Sequence, residues 1–299
     1  MYANSMCISC IVGRQEKMIR SFDDEEKKSE YMHRILEILY RHGRSKSSPW
    51  IVEQINKVYE NFWGSADYTP LKHRYNQLLL GKEKELEEII RRSDDAVREC
   101  IKYVCAGNYI DFSAVEDVSE ETLKKLLDKA AREPVSETEY AHFIDDLSAA
   151  RTLVYFTDNC GEIVLDKLFI RFLKERFPSL QITVIVRGKD VINDATMMDA
   201  QEVGLTELVP CVGNGNGAPG TVIELLSEEA KGILSEADVV ISKGQGNFEG
   251  LFGEGVNPYY FFLCKCSLFV ERFGLPQYES VFRKEERIQF VPTFMSARE

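Results

Sequence analysis

The sequence predicts an α/β protein: a three-layer, Rossmann-like αβα sandwich with a mostly parallel sheet, preceded by an all-helical N-terminal region. Two observations predict it. From residue 151 onward, short continuous apolar runs alternate with amphipathic segments, the pattern of parallel strands buried on both faces between crossover helices. Upstream of that point the apolar residues recur at helical spacing instead. The expected division is a helical region at 1–148, an α/β domain at 149–282, and a tail at 283–299 that the pattern does not place.

In chain order, Ser29 to Arg41 sets Met32, Ile35, Leu36 and Leu39 on one helix face. Ser48-Pro49 opens the next helix through Ile55 and Val58, proline fitting a first helical turn. Asp67 to Arg92 carries Leu71, Tyr75, Leu78 and Leu79, and residues 94–109 turn Val97, Ile101, Val104 and Cys105 inward. Ser119, followed by Glu120 and Glu121, caps a helix that ends near Arg132 before Pro134. Then come a strand at 153–157, a helix from Glu162 to Phe177, a strand at 182–187 and a helix from Asp194 to Val203. A strand from Glu207 to Cys211, a Gly-rich loop, a helix beginning near Thr221 and strands at 238–242 and 260–270 complete the series. The right-handed crossover rule winds such a series into an open sheet covered on both faces.

Composition narrows the function classes. The 299 residues include 37 Lys+Arg against 49 Asp+Glu, a net charge of −12, which opposes general affinity for nucleic acid. It leaves room for a local positive pocket that takes one phosphate. No apolar run approaches the roughly 18 residues needed to span a bilayer, and the best stretch, Tyr259 to Val270, is broken by Lys265. Met6 to Val12 lacks a cationic flank and makes a poor signal peptide. The eight cysteines are scattered rather than framed as a disulfide scaffold. A cytoplasmic enzyme with no membrane, nucleic-acid or obligatory protein partner is expected.

In open α/β sheets, ligands bind beyond the carboxyl ends of the strands. Asp158 and Asn159 follow the first strand; Arg187, Asn193 and Asp194 follow the second; Lys243 ends the fourth and Lys265 lies in the fifth. Carboxylate and amide oxygens suit a hard divalent cation, and lysines beside it neutralise phosphoryl oxygens. The expected chemistry is phosphoryl transfer on a small phosphorylated metabolite. Each motif has a plainer reading. Asp-Asn-Cys-Gly is also a turn sequence, and Asp194 is also a helix N-cap, or cap and ligand together. Convergence at several strand ends favours the site.

Other motifs say less. Residues 213–217 (GNGNG) lack the Lys-Ser/Thr of a P-loop and read as a flexible loop over the strand ends. Cys7-x-x-Cys10 makes half a zinc site only if Cys100 and Cys105 complete it, and the latter spacing is awkward on a helix. His33, His42, His73 and His142 show no metal spacing.

The segments TDNCGEIVLDKL, VRGKDVINDATMMDA, ADVVISKGQGNFEGL and FFLCKC resemble the damage-control phosphatases, long called domain of unknown function 89. Their domain is shared with a protein proposed to be an acidic-residue methyltransferase. The upstream CISC and GNYIDFSA segments are similar to a mainly prokaryotic branch with an N-terminal Cys-x-x-Cys. The resemblance implies a divalent metal (Mg, Mn, Co or Ni) on Asp158, Asn159 and Asp194, and a phosphate-binding Lys243. Gly161, Glu162, Asn247 and Glu249 match family positions of less definite role. Lys243, Lys265 and Asn247 are accordingly expected to bind the phosphate, with Asp158 and Lys243 as catalytic residues and either water or Asp158 as nucleophile. Family members act on sugar phosphates and phosphopantetheine-type compounds. The alternatives are an S-adenosylmethionine-dependent carboxyl methyltransferase, which lacks a glycine-rich loop after the first strand here, and a non-catalytic metal- or nucleotide-binding module.

Overall fold

The computed structural model describes residues 1–108 and 120–292. Six strands form its sheet: β1 (Thr152–Phe156), β2 (Gln181–Val186), β3 (Cys211–Gly213), β4 (Val239–Lys243), β5 (Tyr259–Leu263) and β6 (Ser280–Lys284). Their order is β3-β2-β1-β4-β5-β6, parallel throughout except for β6, which returns antiparallel to β5. The order reverses between β1 and β4, so the ends of those two strands flank the crevice where such sheets bind ligands. Successive side chains alternate between faces, as strand geometry requires. Leu153, Tyr155, Ile241, Tyr259 and Phe261 enter one apolar core, while Val154, Phe156, Val240, Tyr260 and Phe262 enter a second on the opposite face.

Seven helices precede the sheet among the described residues: α1 (Ser5–Ile19), α2 (Glu25–His42), α3 (Ser48–Trp63), α4 (Thr69–Arg91), α5 (Ala96–Gly107), α6 (Glu120–Ala130) and α7 (Glu137–Ala149). The first three close a core of their own around Tyr31, Ile35, Ile51 and Ile55. The next helices do something different. Tyr75, Leu79, Val104 and Phe143 pack into the first core and cover one face of the sheet. The region at 1–148 is therefore helical but splits between a cap and a sheet-covering layer. Helix α8 (Glu162–Arg176) joins that layer, as does the short α9 (Met197–Glu202). Helices α10 (Glu228–Ser235), α11 (Gln245–Leu251) and α12 (Ser267–Phe273) cover the other face.

Phe143 fixes α7 to the sheet edge. Its fully buried ring meets Tyr259 at 4.9 Å and Phe282 at 5.5 Å between centroids. Phe143→Ala should cost about 3–5 kcal/mol, read as a lower urea midpoint. A loss below about 1 kcal/mol would mean that the site collapses around the smaller side chain.

Several elements differ from the sequence expectation. Helices α1 and α7 were not marked by the apolar pattern; Asn4 and Ser136 cap them by accepting from Cys7 N and Glu139 N. The expected strand at Glu207 to Cys211 begins only at Cys211, because Leu205–Glu207 forms a short 3-10 turn. The apolar run at 260–270 is a five-residue strand followed by α12, a case of short apolar runs not distinguishing strand from helix. The helix expected from Asp194 starts at Met197, capped by Thr196 and Asp199 in a reciprocal box. The helix expected near Thr221 is a 3-10 turn at Ile223–Leu225 and then α10, capped by Ser227. The expected boundary at 282/283 falls inside β6. Ser119 and the segments at 109–119 and 293–299 lie outside the described residues.

Candidate functional site

Strand β1 delivers Asp158 and Asn159 to the crevice, and the chain then turns into α8 through Gly161, whose φ of +70° favours glycine. Gly161 N donates to Asn76 Oδ1, which ties this turn to α4. The segment after β2 crosses directly over it. Cys160 N donates to Asn193 O, Ala195 N donates to Asp158 O, and an isolated bridge pairs Asn159 with Asp194. Ile192, just upstream, holds φ at +47°, a strained value for a β-branched residue. Since Thr196 caps α9, Asp194 is not its N-cap; its carboxylate instead accepts from Arg187 Nε at 2.6 Å.

Asp158, Asn159 and Asp194 therefore converge, as the strand-end argument expected. Asn159 Nδ2 donates to Asp158 Oδ2 at 2.8 Å and to Glu162 Oε2 at 3.0 Å. Its Oδ1 accepts one bond from Asn193, leaving a second lone pair for a ligand. Burial pushes the Asp158 carboxyl up to about 8, reinforced by Glu162 and Asp194 and opposed by Lys265 and Arg187. A divalent cation relieves this kind of crowding, so the donor set fits a hard metal ion. Among the described residues no three His, Cys, Asp or Glu side chains form such a group; this set is two carboxylates and an amide.

The cations sit differently from the expectation. Lys243 is fully buried, and its ammonium donates to Glu162 Oε1 at 2.6 Å and Asp166 Oδ1 at 2.7 Å. Burial alone lowers a lysine pKa, but Asp166 and Glu162 outweigh it and raise this one. Lys243 is thus a brace behind the carboxylates, not a cation standing open at the strand exit. Asn247 is also an internal brace. It donates to the carbonyls of Thr157 and Lys243 and accepts from Thr221 Oγ1, which uses both N–H groups and one lone pair of its carbonyl. Lys265 remains partly exposed, and its charge is felt at Asp158.

Three contributors were missed as site residues. Asn108, at the end of α5, donates to Asp158 Oδ2 at 2.7 Å and to Glu162 Oε2 at 3.3 Å. Asp166, one turn along α8 from Glu162, accepts from Tyr155 as well as Lys243. Arg187 is 1% exposed, and its two terminal nitrogens have no hydrogen-bond partner among the described residues. Leaving a buried donor unpaired costs about 1–3 kcal/mol. Signals existed: Asn108 lies in the GNYIDFSA segment, and Arg187 follows β2 directly.

Gly244 shows how tightly this centre is built. A Cβ there would stand 2.0 Å from Asp158 Oδ2, and its φ is +79°. Gly244→Ala should displace the Asp158 carboxylate and cut turnover by about 10²-fold, the usual scale for an ångström-level misplacement. Steady-state kinetics beside a thermal melt checks this; wild-type turnover would place Asp158 outside the chemistry.

A cavity of about 680 Å³ opens between the α1–α3 cap and the strand-end loops, lined by Arg14, Tyr59, Tyr68, Lys189, Ile192 and Gln245 among others. Asp158, Asn159 and Asp194 do not line it, and it meets the site segments only through chain neighbours such as Ile192 and Gln245. Cys7 and Cys10 line it too, whereas Cys100 and Cys105 are sealed in the core under the sheet, so these four thiols do not form one zinc set. The GNGNG loop is packed rather than loose. Asn214 accepts from Gly188 N and Asn216 N, and Asn216 donates to Leu225 O. No helix among the described residues is long and apolar enough to cross a membrane.

An open, mostly parallel sheet with carboxylates, an amide and a buried arginine at its switch point defines an α/β enzyme of the strand-end type. The damage-control phosphatase ARMT1-like domain model matches residues 3–281, and the chain belongs to that family. A damage-control phosphatase of Archaeoglobus fulgidus is 31% identical over 276 residues, 89% of this chain and 93% of that protein. One from Pyrococcus horikoshii is 30% identical over 203 residues, 64% of this chain and 69% of its own length. The crystal structure of a DUF89 family protein from Pyrococcus horikoshii superposes with a TM-score of 0.81 at 22% identity, covering 95% of this chain and 99% of that one. Phosphatase is the class of activity that the family and these relatives carry.

Proposed function

We propose that this phosphatase is a metal-dependent phosphomonoesterase of small phosphorylated metabolites. Asp158, Asn159 and Asp194 would hold one divalent ion, Mg, Mn, Co or Ni, which when bound supplies Lewis-acid stabilisation of charge on the phosphoryl oxygens. The observation that carries this reading is the convergence of those three side chains, with the Asp158 carboxyl pushed up to about 8 by burial and by the carboxylates of Glu162 and Asp194. The chain's own groups divide the remaining work. Asn108, Glu162 and Lys243 hold Asp158 and Asn159 in place from behind. Lys265 adds positive charge at the rim, where a fixed cation favours negative charge developing on a transferring phosphoryl group. The cavity that Ile192 and Gln245 line, close in sequence to Asp194 and Lys243, would take the leaving alcohol. Its mixed walls, with Arg14 and Lys189 beside Tyr59 and Tyr68, suit a polar metabolite such as a sugar phosphate or a phosphopantetheine-like compound.

The test is a screen of phosphomonoesters on protein stripped with a chelator, each divalent metal then being restored in turn. Turnover that returns only with metal supports the reading. Full turnover by protein shown to be free of metal sinks it.

A further inference from the structure

The mechanism outlined above uses Lys265 as the rim cation and leaves Arg187 without a task. Its surroundings are unusual for a structural arginine. The side chain is 1% exposed, yet among the described residues only its Nε is bonded, to Asp194 Oδ2 at 2.6 Å. One terminal nitrogen stands 3.8 Å from Asp158 Oδ1, within ion-pair range but beyond a hydrogen bond. Both terminal nitrogens lack a hydrogen-bond partner among the described residues. A buried arginine kept for packing or for one carboxylate has its other N–H groups satisfied by carbonyls or side chains, because unpaired donors in a dry site are costly. Here the backbone fixes the residue as well: Arg187 N donates to Ala195 O, and an isolated bridge ties Arg187 to Thr196. The guanidinium is therefore held between the two carboxylates by both its main chain and its Nε, with the planar end of the fork left over.

We propose that Arg187 is the phosphate fork of this site, its two terminal nitrogens donating to phosphoryl oxygens while Nε holds Asp194. The inference rests on the phosphatase reading and deepens it. Planar, bidentate donation is what a guanidinium offers a phosphate and a lysine does not. The same geometry couples the phosphate to a carboxylate of the expected metal set through one side chain.

The test is calorimetric titration of inorganic phosphate into magnesium-saturated protein, paired with a magnesium titration of each variant without phosphate. Arg187→Gln should weaken phosphate binding by about 10- to 100-fold, the range for losing hydrogen bonds to a charged group. Arg187→Lys keeps the charge and guards against loss of the fold; it should recover the binding only in part. In steady-state assays both variants should raise KM for the phosphomonoester more than they lower kcat. Phosphate affinity unchanged in Arg187→Lys and Arg187→Gln, with only magnesium affinity altered, would overturn the proposal and leave Arg187 as a support for Asp194. Wild-type protein that binds no phosphate would also overturn it. Failure of the phosphatase reading shows separately, as wild-type protein without metal-dependent turnover.

Discussion

Asp158→Ala and Asp194→Ala are each expected to lower kcat/KM on the order of 10³-fold or more, because each removes an acidic ligand of the proposed cation and with it the charge stabilisation that the cation would give the phosphoryl oxygens. The two variants should differ in stability, and that difference tests the geometry. The Asp158 carboxyl is raised above its usual range by burial, Glu162 and Asp194. A carboxyl whose pKa rises on folding opposes folding at every pH above its unfolded value, so at neutral pH, below the raised value of about 8, the proton that Asp158 must take up on folding weakens the metal-free protein. Asp158→Ala removes that strain, and the melting temperature of the metal-free protein should hold or rise. Asp194 instead accepts the 2.6 Å bond from buried Arg187. Removing it strands a guanidinium in the interior, at a cost of about 3–5 kcal/mol. Thermal melts in chelator, with the two variants side by side, check the sign. Equal destabilisation by both would contradict the asymmetry.

Lys243→Met is expected to act on the fold first. Seen from the sequence, Lys243 stands at a strand exit just before Gly244 and Gly246, and its loss costs about 10²-fold or more in kcat/KM, as for one strong electrostatic contact, with little harm to the structure. The structure reverses the emphasis. The ammonium is fully buried between Glu162 and Asp166, so its removal leaves two carboxylates in the core without their cation. Breaking a buried pair from one side costs about 3–5 kcal/mol, which for a domain of this size lowers the melting temperature by roughly 10 °C. Turnover falls as well, since Glu162 also accepts from Asn159 and Asn108. Adding Glu162→Gln and Asp166→Asn to Lys243→Met should recover part of the stability, a non-additivity typical of one network. A Lys243→Met protein that melts with wild type but has lost phosphate affinity would restore the lysine to the substrate.

How much of this was legible depends on the kind of signal. The parallel sheet and the strand-end placement of Asp158, Asn159 and Asp194 follow from local patterns: apolar runs, helical spacing, and polar residues where a strand stops. Whether a strand-end lysine points at substrate or folds back beneath the sheet is decided by Glu162 and Asp166, one turn apart on α8. No local pattern around Lys243 announces them. Asn247 looked like a ligand for the same reason; that both its N–H groups are spent on Thr157 and Lys243 is visible only in the folded chain. Asn108 reaches Asp158 from a helix 50 residues away in sequence. Arg187 was visible as a strand-end residue, but only its unpaired nitrogens mark it out. The run at 260–270 failed for a different reason, since Leu268 and Phe269 are as apolar as the strand before them and only Lys265 and Ser267 interrupt the series.

Asp158, Asn159 and Asp194 are proposed to hold one divalent cation, and anomalous diffraction from crystals soaked with manganese would locate it. A single strong peak is expected within coordination distance of oxygens from all three side chains, reduced or lost in crystals of Asp194→Ala. A manganese peak bound elsewhere, with this cluster empty in crystals of protein that needs manganese for turnover, would contradict it.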